Sequence, residues 1–142
     1  MKVLGIVAEY NPLHNGHLYH INKAKQETGA DAVIVALSGD YVQRGELAVT
    51  NKWVRAESAI KNGIDAVFEI PTYACLGNAS VYASTAIKLL SATGVVDAVS
   101  FGSESGNLEE LTEVACNLCD EKISDHITKL SREGYSYPRA RA

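Results

Sequence analysis

The sequence lacks long hydrophobic runs and has few cysteines. No apolar stretch among its 142 residues approaches the roughly 18–20 residues of a membrane-spanning helix, so we expect no membrane association. The apolar start turns polar at Glu9 without a small-residue cleavage site, which is not typical of a secretory signal. The three cysteines argue against a disulfide framework, and we interpret Cys116 and Cys119 as small buried hydrophobes of a helix. We therefore predict a cytoplasmic protein.

Positive charge is also scarce. The chain has 13 Lys and Arg against 17 Asp and Glu, which gives a formal net charge of −4. Proteins that bind a nucleic-acid backbone usually present a basic patch, but the densest basic cluster here is Arg139 with Arg141. If this protein acts on RNA, most of the RNA-binding surface lies outside this sequence. The hydrophobic content of 46% fits one folded domain over residues 1–142.

Apolar runs and helical periods alternate along the chain. The predicted strands are 3–8, 32–37, 66–70 and 98–101. The predicted helices are 16–28, 51–62 after a cap at Thr50, 80–93, one capped by Asn107 and interrupted at 120–122, and 124–133. Residues 72–78 are predicted to form a loop. This alternation predicts an α/β fold, a Rossmann-like doubly wound parallel sheet with strand order 3-2-1-4.

A histidine turn follows the first predicted strand. The sequence His14-Asn15-Gly16-His17 lies at a strand-to-helix junction, where phosphates bind in folds of this kind. Imidazoles that donate hydrogen bonds or carry positive charge suit an α-phosphate that gains charge during nucleotidyl transfer. Gly16 would let backbone amides approach the phosphates closely. The turn therefore predicts a nucleoside-triphosphate site.

The same histidines can also be interpreted as a metal set. His17 and His20 lie three residues apart on one helical face, and His14 is close in sequence. Glu9 is the only nearby carboxylate and no cysteine is close, which weakens a zinc site. Magnesium delivered with ATP fits better, because it binds mainly through phosphates and waters. Both interpretations stay open on the residues alone.

Further polar residues are expected at the same edge of the sheet. The loop Gly102-Ser103-Glu104 follows the fourth strand, across the switch point from the histidine turn, and predicts a rim for adenine or ribose. Arg44 either holds a phosphate or carboxylate bidentately or belongs to an ordinary polar loop. Lys52 and Arg55 are interpreted as a solvated helix face, although Lys52 is near enough to the helix start to reach the site.

These motifs resemble a known family. The His-x-Gly-His element resembles the nucleotidyltransferase superfamily, which includes cytidylyltransferases, adenylyltransferases and class I aminoacyl-tRNA synthetases. The fuller set resembles the bacterial tRNA(Met) cytidine acetate ligase family, from Val3 to about Pro138. That set comprises Ala8-Glu9-Tyr10-Asn11-Pro12, His14 to His20, Ser38-Gly39, Val42-Gln43-Arg44-Gly45-Glu46, Lys52-Trp53 and Phe101-Gly102-Ser103-Glu104.

The resemblance implies a reaction and a site. The family activates acetate with ATP, giving acetyl-adenylate and pyrophosphate, and transfers acetyl to N4 of the wobble cytidine in elongator tRNA(Met). His14 and His17 would stabilise the α-phosphate transition state, and we take Arg44 as a third catalytic candidate. ATP would enter with Mg²⁺. The implied ATP-binding residues are Val7, Ala8, Glu9, Tyr10, Asn11, Pro12, Leu13, His14, Asn15, Gly16, His17, Leu18, Tyr19, His20 and Gly102.

The resemblance also implies what this sequence omits. Family members continue into a C-terminal region that supplies further ATP contacts and tRNA-binding surface, so we expect this chain to be a fragment without its RNA-binding part. One alternative is another nucleotidyltransferase that adenylylates a small phosphorylated metabolite. A Ser/Thr-rich phosphate motif ending in Arg, common in such enzymes, has no good match here. A second alternative is an ATP-binding module without full activity.

Overall fold

The computed structural model describes residues 1–118, 121–136 and 139–140. The chain divides into two compact units, Met1–Gly102 and Ser103–Ala142. The first unit contains four strands and four helices. They are, in chain order, β1 (Val3–Ala8), α1 (Asn15–Thr28), β2 (Ala32–Ser38), α2 (Lys52–Lys61), β3 (Ala66–Ile70), α3 (Thr72–Cys75), α4 (Ala79–Ala92) and β4 (Ala98–Ser100).

The four strands form one parallel sheet in the order β3-β2-β1-β4. The predicted fold class and strand order are therefore confirmed. An aspartate just before each later strand fixes the register, because its carboxylate accepts a backbone N–H from the neighbouring strand. Asp31, Asp65 and Asp97 accept from Lys2, Val33 and Val3, each at 2.7 Å.

Helices cover both faces of the sheet. Ile21 and Ala24 of α1 and Ala59 of α2 pack into one apolar core on the same face of the sheet. Both helices lie on this face because the connections β1–α1–β2 and β2–α2–β3 run in the same direction and such crossovers are right-handed. Helix α4 crosses back towards β4 and packs Ala86 and Leu90 into a second core on the other face. The chain therefore reverses its direction of winding at β1, which is the switch point where ligands bind in such folds.

Several helix boundaries differ from the predicted ones. Helix α1 begins at Asn15, with His14 as its cap. The cap of α2 is Asn51 and not Thr50, because the Asn51 side chain accepts the Val54 N–H at 3.0 Å. The predicted loop at 72–78 is wrong in its first half, where α3 forms. That helix buries Ala74 and Cys75 completely, so packing decides a segment too short to show a period.

The second unit contains α5 (Leu108–Leu118) and α6 (Glu121–Arg132). Asn107 caps α5 as predicted, since its side chain accepts the N–H groups of Glu109 and Glu110. The predicted interruption at 120–122 is wrong for residues 121 and 122, which are helical, and Asp120 lies outside the described residues. Cys116 is exposed and not buried as predicted, and Cys119 lies outside the described residues. Among the described helices, none has the length and apolarity to cross a membrane.

Candidate functional site

A cavity of about 500 Å³ opens at the carboxyl end of β1, within the first unit. The end of β1, the first turns of α1 and the start of α4 form its wall. It therefore lies at the switch point of the sheet, as the topology predicts. The lining residues are Ile6, Val7, Ala8, Glu9, Tyr10, His17, His20, Gln43, Ala79, Tyr82 and Ala83.

His14 and His17 form a reciprocal cap at the start of α1. The Nδ1 atom of His14 accepts the Gly16 N–H at 3.1 Å, and the Nδ1 atom of His17 accepts the His14 N–H at 3.2 Å. The two rings stack with their centroids 3.7 Å apart. Because both Nδ1 atoms accept hydrogen bonds, each neutral ring carries its proton on Nε2. Each imidazole thus keeps one Nε2–H donor for a ligand.

Gly16 has a role that the sequence did not reveal. A Cβ at this position would lie 3.0 Å from Cε1 and 3.1 Å from Nδ1 of His14, so a larger residue would push the His14 ring out of its capping position. The Gly16 amide itself donates to His14. The sequence predicted only that Gly16 lets backbone amides approach a phosphate closely. The imidazoles therefore replace the backbone amides as the outward donors at this helix start.

The environment of His17 favours its neutral form. Burial lowers the pKa of His17, and the nearby His14 and His20 lower it further. The ring of Tyr10 meets His17 edge-on, with centroids 5.0 Å apart. Tyr10 adopts a φ of 42°, a left-handed conformation that is unfavourable for an aromatic residue, and its buried ring holds it there. Burial also raises the pKa of Tyr10 to about 12.

His20 and Glu9 are two further polar residues of the cavity wall. Nε2 of His20 lies 2.9 Å from the Ser100 hydroxyl, which links α1 to β4. No three His, Cys, Asp or Glu side chains of the described ranges converge as a metal site. Glu9 is the one carboxylate of the cavity wall, and its Oε1 accepts the Gln43 N–H at 2.8 Å.

Arg55 lies behind the histidine turn, so its predicted place on a solvated face is wrong. Its side chain is 1% exposed. Nε donates to the Thr50 carbonyl at 3.1 Å, Nη1 to the Glu9 carbonyl at 2.6 Å, and Nη2 to the Gly39 carbonyl. Burial lowers the pKa of Arg55, which the nearby Asp40 and Glu9 carboxylates oppose. One guanidinium therefore joins the chain ends after β1 and β2 to the start of α2.

The sequence carried one weak signal for this burial. Arg55 precedes Ala59 by four residues, which places both on the same face of α2, and Ala59 is fully buried. Arginine side chains are usually exposed to water, so the sequence favoured a solvated position for Arg55. The carbonyl groups that accept from the guanidinium come from two loops, the one after β1 and the one between β2 and α2. No local sequence pattern predicts that they converge.

Other predicted site residues lie away from the cavity wall. Arg44 is exposed, with a φ of 77°. Lys52 does not line the cavity, because its Nζ pairs with Glu69 at 2.7 Å, and this hydrogen bond raises the pKa of Lys52. Gly102 is exposed at the end of the first unit, and the predicted partner residues Ser103 and Glu104 belong to the second.

Some residues of the predicted ATP-binding loop line the cavity, and others pack into the protein or stabilise the loop. Leu13 and Leu18 pack against the first core, and the Asn11 side chain accepts the Val49 N–H at 2.6 Å. Tyr19 is exposed. The predicted residues that line the cavity are Val7, Ala8, Glu9, Tyr10, His17 and His20. Gln43, which the sequence placed beside Arg44 in the loop after the second strand, also lines the cavity. The lining residues that sequence reasoning missed are Ile6, Ala79, Tyr82 and Ala83, of which the last three share the start of α4.

Residues 1–142 match the family model described as HIGH Nucleotidyl Transferase, and the chain belongs to this family. It is similar to the tRNA(Met) cytidine acetate ligase of Caldicellulosiruptor saccharolyticus, with 46% identity over 144 residues that cover 99% of this chain and 36% of that one. For the ligase of Thermosipho melanesiensis, identity is 49% over 143 residues, covering 99% and 34%. The chain spans about a third of the length of these curated relatives.

Solved structures also show that the chain is similar to one part of a longer protein. The crystal structure of Thermotoga maritima TmcAL bound with alpha-thio ATP matches with a TM-score of 0.91 and 45% identity, over 99% of this chain and 34% of that one. The apo structure of the same protein matches with a TM-score of 0.92 and 45% identity. The fold of this chain and that of the relative are therefore alike over the cavity region.

Proposed function

We propose that this chain forms the ATP-binding part of a ligase that activates acetate and transfers the acetyl group to N4 of the wobble cytidine in elongator tRNA(Met). The observation that carries the proposal is the His14–His17 cap, which leaves two Nε2–H donors at the start of a helix. The names of the relatives and the alpha-thio ATP in the neighbouring structure support it. ATP is the nucleotide, acetate the small substrate and tRNA the final acceptor.

In the first step, an acetate oxygen attacks the α-phosphorus of ATP. The new O–P bond forms as the bond to pyrophosphate breaks, which gives acetyl-adenylate. His14 and His17 donate to the α-phosphate oxygens, where negative charge develops. The start of α1 adds roughly 0.3–1 kcal/mol of preference for anions. Magnesium would neutralise phosphate charge, with Glu9 Oε2 as the available protein oxygen.

In the second step, N4 of cytidine attacks the acetyl carbonyl carbon. The C–O bond to AMP breaks, AMP leaves with the electron pair, and N4 loses a proton. The apolar residues of the cavity wall, from Ile6 to Ala8 with Ala79 and Ala83, would reduce the access of water to the activated ester. Arg44 and Gly102 are exposed outside this wall and would contact other parts of the substrates.

Calorimetry with ATP and magnesium tests the nucleotide site. We expect His17→Ala to weaken ATP binding about tenfold or more, because it removes a donor and part of the α1 cap. His126→Ala on the exposed face of α6 is the matched control and should leave the affinity unchanged. No ATP binding, or equal affinity for the two variants, would contradict the proposal.

A second candidate is a nucleotide-binding module that needs further chain for activity. The observation that favours it is the coverage of about a third of each relative. Pyrophosphate exchange by the 142-residue chain separates the candidates. Exchange stimulated by acetate supports the ligase, whereas exchange stimulated only by a phosphorylated acceptor supports another nucleotidyltransferase. ATP binding without any exchange supports the module.

A further inference from the structure

A second, smaller cavity of about 70 Å³ lies at the first turn of α2, within the first unit. It shares no lining residue with the histidine cavity. Its wall combines an apolar floor with one tryptophan, one cation and one carboxylate. The lining residues are Leu37, Ser38, Lys52, Trp53, Ala56, Val67 and Glu69.

Trp53 is the sole tryptophan of the chain and is 74% exposed. Its ring lies beside the ammonium group of Lys52, with Nζ 5.5 Å from the ring centroid. A wide aromatic face in water next to a cation is the arrangement on which unpaired nucleic-acid bases stack. The Trp53 ring has no need of a further core partner to keep α2 folded, since Arg55 and Ala59 anchor that helix from its other side.

Lys52 and Glu69 give this aromatic face a polar edge. The Lys52 Nζ lies 2.7 and 2.9 Å from the two carboxylate oxygens of Glu69. The two side chains remain 29% and 43% exposed, so a ligand can reach both. An ammonium donor next to a carboxylate acceptor can hydrogen-bond the edge of a nucleobase, which also carries donors and acceptors side by side. The small cavity admits only such an edge, and the ring of the base stays outside on Trp53.

The position of this surface suits a substrate that reaches the histidine cavity. Ala8 pairs with Leu37, and Leu37 pairs with Glu69, in one row across the sheet. With strands about 4.8 Å apart, the backbone of Glu69 lies roughly 10 Å from that of Ala8. One or two nucleotides of an extended strand cover such a distance. A base held between Trp53 and Glu69 would therefore lie one or two nucleotides from a nucleotide bound beside Ala8, in the wall of the histidine cavity.

We propose that Trp53, Lys52 and Glu69 bind an unpaired RNA base that neighbours the reacting nucleotide. This inference rests on the proposed function, in which RNA is the acceptor. Because the chain has a net charge of −4, attraction to the phosphate backbone does not drive this contact. Stacking on Trp53 and hydrogen bonds to the polar edge drive it. Because few phosphates are neutralised, the affinity should depend only weakly on salt concentration.

The single tryptophan provides a direct test. A short single-stranded RNA oligonucleotide should quench Trp53 fluorescence, whereas an abasic chain of equal length should not. Anisotropy of the labelled oligonucleotide should show that Trp53→Ala lowers affinity roughly 5- to 150-fold, the range of one base–aromatic stack. Tyr73→Ala, which removes another exposed aromatic ring from the same unit, is the control and should bind like the unchanged chain.

Three results would overturn the inference. They are equal binding of the RNA and the abasic chain, equal affinities of the Trp53→Ala and Tyr73→Ala variants, and no quenching up to about 1 mM oligonucleotide. ATP titrations of the same samples separate this from the proposed function, because Trp53→Ala should leave ATP affinity unchanged. Failure of RNA binding with intact ATP binding rejects only the base site. Trp53-dependent RNA binding without ATP binding rejects only the ligase assignment.

Discussion

The histidine turn and the Arg55 side chain hold the loop after β1 from its exposed and its buried side, and they do so by opposite means. On the outside, His14 and His17 use neutral nitrogen atoms that accept backbone N–H groups. On the inside, the buried Arg55 cation donates to backbone carbonyls, one of them that of Glu9. The inner contact keeps its charge at any ordinary pH, whereas the outer one responds to protonation. The buried side of the loop therefore keeps its contacts at any ordinary pH, and only the histidine side changes with pH.

Removal of the inner contact should have the largest effect. Arg55→Met keeps the volume but leaves the carbonyl groups of Thr50, Glu9 and Gly39 without their donor. We expect the free energy of unfolding to fall by about 3 kcal/mol or more in urea titrations, because buried unpaired carbonyls are costly. ATP affinity should fall with it, since the Glu9 segment loses its anchor.

Lys61→Met on the same helix is the matched control. Lys61 is exposed and pairs with Glu57 at 2.7 Å across one turn, so its loss should cost no more than about 0.5 kcal/mol. Similar losses for the two variants would mean that the guanidinium contacts contribute little, and the comparison between inside and outside would fail.

Substitution of His14 should have a smaller effect on stability. It should also lower ATP affinity, and the two effects can be separated. His14→Ala removes the α1 cap and should lower the free energy of unfolding by about 1 kcal/mol. His14→Asn supplies another capping acceptor and should recover most of that stability. If His14 also donates to phosphate, ATP affinity stays low in both variants. Recovery of ATP affinity by His14→Asn would reduce His14 to a structural cap.

The smallest effect should come from pH. The pKa of His17 is lower in the folded protein than the ordinary value of 6.5, so the unfolded chain binds more protons between the two values. The contribution of His17 to stability is complete above the ordinary value and is lost as pH falls towards the lowered one. The difference in unfolding free energy between the unchanged chain and His17→Ala should therefore shrink from about pH 8 to about pH 5. A constant difference would contradict the hydrogen-bonding role of Nδ1.

The sequence predicted those parts of the site that depend on neighbouring residues. The continuous apolar run of β1, the break at Pro12 and the helical period after His17 are local signals, and together they place the histidine turn on the correct edge of the sheet. The residues of α4 in the cavity wall escaped notice, because only the crossover of that helix brings Ala79 and Tyr82 to β1.

The burial of Arg55 shows most clearly what could not be predicted from the sequence. Burial of an arginine depends on acceptors, and here they come from residues far apart in sequence, such as Glu9 and Gly39. Composition and periodicity show which residues share one side of a helix, but they do not show which residues from other segments pack against that side. The short α3 escaped for a related reason, since its formation follows from the complete burial of Ala74 and Cys75.

The central position of β1 has a consequence for how the protein folds. Strand β1 is synthesised before the other three strands of the first unit, and it pairs on one side with β4. The Val3 N–H donates to Asp97, 94 residues later. Long-range parallel pairing of this kind forms slowly, because the intervening chain must be closed into a loop first. The histidine turn is thus encoded near the start of the chain, yet the strand that carries it is enclosed only when nearly the whole first unit has been synthesised.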